Sequence, residues 1–518
     1  MQQVPPKSGV RHLTRRAALT FVSKILQHGA RLATQFLVTP LLIQHLGMPL
    51  YGAWMIIQQT IGYLALGDIR PMSTLKFALS VRQHIDDDEE KRRLVGAALS
   101  LTLYTLPVLL LLGGVITWLA PHFIHLAPEH ASALRITMAI AVASFILDRL
   151  LTLPSNVLIG MNLDYRSMGM SAASVVVSGA LMIGAVQAGY GLPGVAIAVA
   201  LGTILYSVGR YFVARRAVPW FGASRPTRSE VKEFAKMSGG ISLIGFGHLV
   251  MSATDVLLIG MVLGPAVAGM YAVTGAVLRF GAVPFTEALG SGGVGIADLC
   301  GRKEWARVTR IRAEMHLVAI AAMSIVGFVI LVLNRHFLLI WTKRDVYAGS
   351  DVNLMLVLLT LCGLLYKTDR AIATALFELR IQTIALVAGG TVALGLGAVG
   401  TMWFGPAALP AALTCAYAFE LIVVGRVIRR WTGARAAEQR RLLARPLLVA
   451  LLLFGAGLLL ERRVAPDGWL ELIGYGVLLT VAASPVVLWL GLGARARAML
   501  GGRLRSTVAA LRQRTAKA

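Results

Sequence analysis

The stretch "LGMPLYGAW", residues 46–54, returns as "LGPAVAGMY", residues 263–271, at an offset of 217 residues. The residues that match are Leu46, Gly47 and Gly52 in the first stretch and Leu263, Gly264 and Gly269 in the second. A shorter match, "VGR" at 208–210 and 424–426, has nearly the same offset. Two matches with nearly equal offsets predict that the chain contains two copies of one structural unit.

The amino-acid composition indicates that the repeated unit is built from membrane-spanning segments. Hydrophobic residues make up 57% of the 518 residues, charged residues make up 14%, and the mean hydropathy is +0.71. A soluble domain needs far more polar surface than this. Apolar windows of about 17 to 25 residues, each long enough to cross a hydrocarbon core of about 30 Å, recur along nearly the whole chain. The sequence therefore predicts an all-α polytopic membrane protein with about fourteen transmembrane helices.

The predicted spans fit the internal repeat. Their approximate bounds are 17–43, 50–67, 94–118, 133–154, 168–188, 192–214, 238–262, 266–289, 313–334, 352–373, 381–400, 405–428, 446–461 and 469–492. The second copy begins at span seven, so each copy has six helices, and both copies enter the membrane from the same side. We expect two six-helix lobes around a central cavity and a C-terminal helical pair. The predicted domains are 1–230, 231–440 and 441–518.

The basic residues predict the orientation. The formal net charge is +25, and most of the 50 lysines and arginines fall at the termini, in the even-numbered connections or at the helix ends leading into them. This asymmetry follows the positive-inside rule and places both termini in the cytoplasm. The basic C-terminal run adjoins a predicted span, so attraction to anionic lipid accounts for it, and no nucleic-acid partner is expected. The three cysteines lack metal-ligand spacing, and we expect no metal site, cofactor or catalytic residue.

One predicted span carries charges. In "SKILQHGARLATQF", residues 23–36, four polar side chains fall within about 60° of one another on a helix. They are Lys24, His28, Arg31 and Gln35. Ionisable groups inside a membrane span usually face a water-filled cavity or a charged partner. Two simpler roles stay open: Lys24 lies close enough to the cytoplasmic end to snorkel, and Arg31 could form an ion pair with Asp255.

Arg279 in span eight is a third intramembrane cation, and no acidic residue lies within one helical turn of it. Spans one and eight belong to different predicted lobes. We therefore predict that Lys24, Arg31 and Arg279 surround one anion in the shared cavity. Four acidic residues in or beside the spans are candidates for ion coupling or for ion pairing within the bundle: Asp148, Asp255, Asp369 and Glu420.

The segment "LGMPLYGAWMIIQQTIGYLALGDIRPMSTLKFAL", residues 46–79, resembles the first two spans of the polysaccharide transporter family. These are the O-antigen and exopolysaccharide repeat-unit flippases of the multidrug/oligosaccharidyl-lipid/polysaccharide exporter superfamily. The positions that fit the family pattern are Leu46, Gly47, Tyr51, Gly52, Trp54 and Asp68. The "GDIRPMS" segment departs from the Gly-rich end that is usual in the family.

The resemblance implies two six-helix bundles whose cationic lumen binds the pyrophosphate of a polyprenyl-linked oligosaccharide. Such a protein carries its substrate across the bacterial inner membrane by alternating access, beside glycosyltransferases and a polymerase of the same pathway. In this chain the cations can bind phosphate, while the prenyl tail stays in membrane lipid. The candidate contacts to sugar hydroxyls are Gln27, His28, Gln35, Gln58 and Gln59.

Three alternatives remain open. A multidrug exporter of the same superfamily typically has twelve spans and acidic lumen groups, whereas the candidates here are mainly basic. A lipid II flippase has fourteen spans and a cationic lumen, so it shares both features with this chain. A membrane glycan polymerase or ligase usually carries a large outer loop, and the longest predicted outer segments of this chain are short.

Overall fold

The computed structural model describes residues 7–65, 67–68, 70–83, 85–239, 254–494 and 496–498, apart from the side chains of 7–25, 283–295 and 379. Throughout these residues the regular secondary structure is helical, as predicted. The principal helices are α1 (Lys7–Leu64), α2 (Pro71–Val81), α3 (Asp88–Phe123), α4 (Ala131–Leu151), α5 (Leu153–Gly160), α6 (Met170–Gln187), α7 (Gly191–Ala217), α8 (228–239), α9 (Asp255–Leu263), α10 (Pro265–Thr274), α11 (Ala276–Gly301), α12 (Trp305–Thr342), α13 (Ser350–Ala375), α14 (Leu379–Phe404), α15 (Ala408–Thr432), α16 (Ala436–Leu460) and α17 (Trp469–Pro485).

Apart from span seven, each predicted span coincides with a helix or with consecutive helices in the described part of the chain. Ten helical segments there are long and apolar enough to cross a membrane, and they correspond to predicted spans three to six and nine to fourteen. The other four predicted spans fall in α1 and in α9 to α11. Residues 240–253, which include most of predicted span seven, lie outside the described residues.

The chain divides into two compact units, Met1–Gly269 and Met270–Ala518. In the first unit, α6 packs against α1 and α7, and α4 packs against α3 and α7. In the second unit, α15 packs against α13 and α14, while α12 packs against α13, α16 and α17. The predicted division at 230 and 440 follows the sequence repeat rather than these contacts, and it stays a prediction.

The repeated glycines have matching backbone conformations. Gly47 (φ 78°, ψ 166°) interrupts α1, and Gly264 (φ 91°, ψ 164°) separates α9 from α10. Both lie in a region of positive φ that favours glycine. A Cβ atom on Gly52 would lie 1.6 Å from the carbonyl oxygen of Pro265, so only glycine permits this approach of α1 to α10. These observations support the internal repeat and explain its glycines.

Polar caps fix two helix starts at the predicted cytoplasmic face. The Asp87 carboxylate accepts the Glu90 backbone N–H at 2.8 Å and begins α3. Before α8, Thr227 and Glu230 form a capping box in which the Thr227 N–H donates to Glu230 at 2.7 Å. Arg93 of α3 also donates to Glu230, at 3.0 Å. The hydrogen bond from the Thr227 N–H lowers the pKa of Glu230, and Arg93 adds to the effect.

Candidate functional site

A cavity of about 760 Å³ lies within the first unit, where α1, α4, α6 and α7 meet. From α1 it is lined by Gln27, Arg31 and Gln35, which follow one another at intervals of four residues. This spacing places them on one face of the helix. Asp148 of α4 and the second half of α1, after the kink at Gly47, supply further lining. We call this space the N-unit cavity.

Arg31 is exposed to the N-unit cavity and has no hydrogen bond or ion pair to any described residue. The alternative pairing with Asp255 is therefore not made in this structure. The side-chain amides of Gln27, Gln35 and Gln58 likewise have no partner among the described residues. Their donors and acceptors, together with the guanidinium group, are available to a polar ligand.

Asp148 is the acidic residue of the cavity lining, and it shares an arginine partner with Asp68. Its Oδ2 atom lies 3.2 Å from Nη2 of Arg149, whose Nη1 lies 3.6 Å from Oδ2 of Asp68. In the loop after α1, burial raises the pKa of Asp68, an effect that the Arg149 guanidinium opposes. Arg149 therefore lies between two carboxylates, while Arg31 is a cation of the cavity lining that has no ion pair to a described residue.

Hydroxyl groups of α6 and α7 form another part of the cavity wall. Ser171, Ser174 and Ser178 of α6 and Thr203 and Tyr206 of α7 line the cavity at helical spacing. Ser174, Ser178 and Thr203 donate their hydroxyl hydrogens to backbone carbonyl oxygens at 3.0, 3.3 and 3.1 Å. The lone pairs of these three oxygens remain as acceptors for a ligand.

Tyr206 is positioned by a buried ion pair. Its hydroxyl oxygen accepts a hydrogen bond from Nη1 of Arg210 at 2.5 Å, while Nη2 of Arg210 donates to Oδ1 of Asp164. Arg210 is only 4% exposed. The hydroxyl hydrogen of Tyr206 therefore remains available as a donor. Tyr206 is not among the site residues predicted from the sequence.

The other predicted site residues of the first unit differ in whether they line the N-unit cavity. Tyr51 and Trp54 of the "LYGAW" segment line the N-unit cavity, whereas His28 and Gln59 are not among its lining residues. Sugar contacts at those two positions stay predictions. The side chain of Lys24 lies outside the described residues. Asp255 begins α9, where its Oδ1 atom accepts the Val256 N–H at 2.9 Å.

Arg279 lies in the second unit. It is exposed, its Nη2 atom donates to the carbonyl oxygen of Ala272, and no ion pair joins it to a described residue. The expectation that Arg279 and Arg31 share one cavity stays a prediction.

The two candidate acids of the second unit differ in their partners. Asp369 is fully buried and accepts from Arg312 at 2.6 and 2.5 Å, and Nε2 of His316 lies 3.0 Å from its Oδ1. Glu420 is also fully buried, but within the described part of the chain neither carboxylate oxygen has a hydrogen-bond partner. The Tyr366 hydroxyl of α13 interacts with its carboxylate, and Arg370 of α13 acts on it through its charge. Among the described residues no cluster of His, Cys, Asp and Glu could hold a metal ion.

No family model and no curated protein matches the sequence. The fold, by contrast, is similar to solved structures. An inward-facing multidrug resistance MATE family transporter of the MOP superfamily aligns with a TM-score of 0.64 and 14% identity over 79% of this chain and 100% of its own. The lipid II flippase MurJ, in an inward closed conformation, aligns with a TM-score of 0.64 and 13% identity over 91% of this chain and 98% of its own.

A third similar structure is a MOP superfamily transporter from Pyrococcus furiosus, described as having a binding pocket of reverse polarity. It aligns with a TM-score of 0.53 and 14% identity over 82% of this chain and 96% of its own. At these identities the comparisons establish that the chain has the fold of the MATE and MurJ structures.

Proposed function

We propose that this protein is a flippase that moves a polyprenyl-pyrophosphate-linked oligosaccharide across the bacterial inner membrane by alternating access. The observation that carries the proposal is the N-unit cavity, in which Arg31 has no partner among the described residues and the adjoining amides are unpaired there. The fold shared with the MATE and MurJ structures supports a transport function.

The charge of the cavity supports an anionic substrate. A guanidinium group binds phosphate oxygens through two parallel charge-assisted hydrogen bonds. A cationic drug would instead need a free carboxylate, and Asp148 already has Arg149 as its partner. The Arg31 guanidinium, which has no partner among the described residues, therefore favours a pyrophosphate over the cationic substrate of a multidrug exporter. Lys24 and Arg279 are proposed to complete the site.

The rest of the lining suits a sugar. Stripping water from a hydroxyl group without replacing its hydrogen bonds costs about 2 to 7 kcal/mol, so sugars cannot cross hydrocarbon unaided. Gln27, Gln35 and Gln58 offer donors and acceptors, the α6 and α7 hydroxyls offer acceptors, and Tyr206 offers a donor. We propose that these groups replace water around the sugar while the prenyl tail remains in lipid.

We propose Glu420 as the ion-coupling group. Asp148 and Asp369 are ion-paired with arginines, whereas Glu420 is fully buried and has no ion pair to a described residue. A buried carboxylate without an ion pair can bind and release a proton as its surroundings change. Glu420→Gln should make transport insensitive to an imposed proton gradient; a gradient response equal to wild type would exclude this role.

A lipid II flippase needs the same pyrophosphate and sugar chemistry, so the test must identify the lipid that accumulates. In a strain lacking this protein, we expect loss of surface polysaccharide. We also expect a lipid-linked repeat unit to accumulate on the cytoplasmic side of the inner membrane. Accumulated lipid II would identify the alternative substrate. Accumulation of the repeat unit on the periplasmic side would contradict a flippase and indicate a polymerase.

A further inference from the structure

A second polar cavity, of about 530 Å³, lies in the second unit between α12 and the start of α16. The polar residues of its lining include Arg310, Arg312, Arg435, Glu438 and Gln439. We call it the basic cavity. Its lining comes from the predicted cytoplasmic connections and adjoining helix ends, and the proposed transport does not use it.

Hydrogen bonds at the wall of the basic cavity fix the orientation of one amide. Arg312 is 5% exposed and donates through Nε and Nη2 to Asp369. Its Nη1 atom donates to Oε1 of Gln439 at 2.6 Å. Because the amide oxygen is the acceptor in this bond, the two N–H donors of Gln439 remain for a ligand.

Cationic groups outnumber acids around this amide. Arg435 is exposed and has no ion pair to a described residue, while Arg310 uses its Nε atom to bind Glu314 at 3.0 Å. Behind the wall, a Cβ atom on Gly425 would lie 3.0 Å from Nη2 of Arg312 and 3.3 Å from Nη1 of Arg429. Two guanidinium groups therefore lie near the carboxylate of Asp369, and among the described lining residues Glu438 is the acid that faces Arg310, Arg312 and Arg435.

The start of α16 contributes backbone N–H donors to the basic cavity. The helix begins at Ala436 without a side-chain cap, so its first backbone N–H groups have no side-chain cap among the described residues, and Glu438 lies in this first turn. A helix end alone would not define a site. Here it combines with the Arg435 guanidinium, which has no ion pair to a described residue, and with the oriented amide of Gln439.

We propose that the basic cavity binds a phosphate group at the predicted cytoplasmic face. Its oxygens accept hydrogen bonds from Arg435, Gln439 and the first turn of α16, and its charge offsets the excess of arginine. Ala306, Ala313 and Leu442 line the remainder of the cavity and leave room for an apolar part of the ligand. The phosphate comes either from the headgroup of an anionic phospholipid or from a soluble phosphate ester.

Native mass spectrometry of the purified full-length protein in a neutral detergent tests the proposal. Dihexanoyl phosphatidylglycerol, dihexanoyl phosphatidylcholine and inorganic phosphate are titrated separately. Arg435→Ala and Gln439→Ala should each weaken binding of the anionic ligand by about fivefold, as expected for loss of one partly exposed charge-assisted contact. Arg441→Ala is the matched control, because Arg441 is exposed on the same helix but does not line the cavity.

Saturable binding of phosphatidylglycerol that Arg435→Ala weakens and Arg441→Ala does not would support a lipid headgroup as the ligand. The same pattern with inorganic phosphate would support a soluble phosphate ester. Equal weakening by both arginine variants would overturn the proposal, because it would reflect surface charge alone. Absence of saturable binding to either anionic probe, or equal binding of phosphatidylcholine, would also overturn it.

Discussion

Arg31 and Asp148 face the same cavity, yet their surroundings differ. The carboxylate lies 3.2 Å from Arg149, whereas the guanidinium has no partner among the described residues. An arginine inside a span is costly unless water, an acid or a ligand surrounds it. We propose that the pyrophosphate of the substrate is the charged ligand that binds Arg31.

Arg31→Ala should lower transport by about tenfold or more, because a hydrogen bond to a charged group contributes about 1.5–3 kcal/mol. Arg31→Lys should retain part of the activity, since it keeps the charge but loses the planar pair of donors. Surface polysaccharide and membrane abundance are the readouts. Arg135→Ala is the control, because Arg135 is an exposed intramembrane arginine outside the N-unit cavity. Full activity of Arg31→Ala, alone or with Asp255→Ala, would disprove a substrate role.

At the residue scale, the sequence predicted Arg31, Gln27, Gln35 and Gln58 because polar side chains at helical spacing are conspicuous within an apolar span. It did not predict the pairing of Arg210 with Asp164, since 46 residues separate them and nothing local indicates the contact. The α6 serines were missed for another reason. Small hydroxyl residues are common where membrane helices pack, so their presence is weak evidence of a site.

Gly52 fixes how closely α1 approaches α10. Gly52→Ala would place a methyl group on the Pro265 carbonyl oxygen, which belongs to the backbone and cannot move aside like a side chain. We expect the free energy of unfolding to fall by about 3 kcal/mol, at the upper end for overpacking. Thermal unfolding of the purified variant and of wild type in detergent measures this difference in the free energy of unfolding. Gly29→Ala, in the same helix with open space around the site, should be neutral or slightly stabilising. Equal stability of the two variants would contradict the contact.

The capping box at α8 predicts a pH dependence. The folded protein lowers the pKa of Glu230 below its ordinary value of 4.5, so the charged carboxylate stabilises the fold above that pH. This contribution is lost as the pH falls through the lowered pKa. Glu230→Gln should therefore be less heat-stable than wild type near about pH 7, and the difference should shrink toward about pH 3. Glu233→Gln, an exposed position on the same helix, is the control. A difference that does not change with pH would refute the ionic contribution.

At the element scale, the sequence predicted the helices well because long apolar runs and their flanking charges are strong signals. The glycine repeat also indicated the special positions Gly47 and Gly264, although not the backbone conformation that they share. Gly47, with φ 78° and ψ 166°, divides α1 into two helical segments, which correspond to predicted spans one and two.

The topology of the whole molecule is predicted from its charges and its repeat. Each copy has six helices, which is an even number. The connections after predicted spans six and twelve must therefore lie on the same side of the membrane as the N-terminus. Reporters fused after Arg216 and after Arg430 should therefore both be active in the cytoplasm, and a reporter near Pro128 should be active outside. A periplasmic result after Arg216 would contradict the six-plus-six arrangement.

Transport by the isolated protein is the most direct test of the central proposal. The purified chain is reconstituted into liposomes that contain a fluorescent polyprenyl-pyrophosphate-linked oligosaccharide, and an impermeant quencher reports which leaflet holds the label. We predict that wild type moves the labelled lipid between leaflets, that Arg31→Ala does not, and that Arg135→Ala behaves as wild type. Movement of a lipophilic cation without movement of the lipid-linked sugar, or equal movement by Arg31→Ala and wild type, would contradict the account.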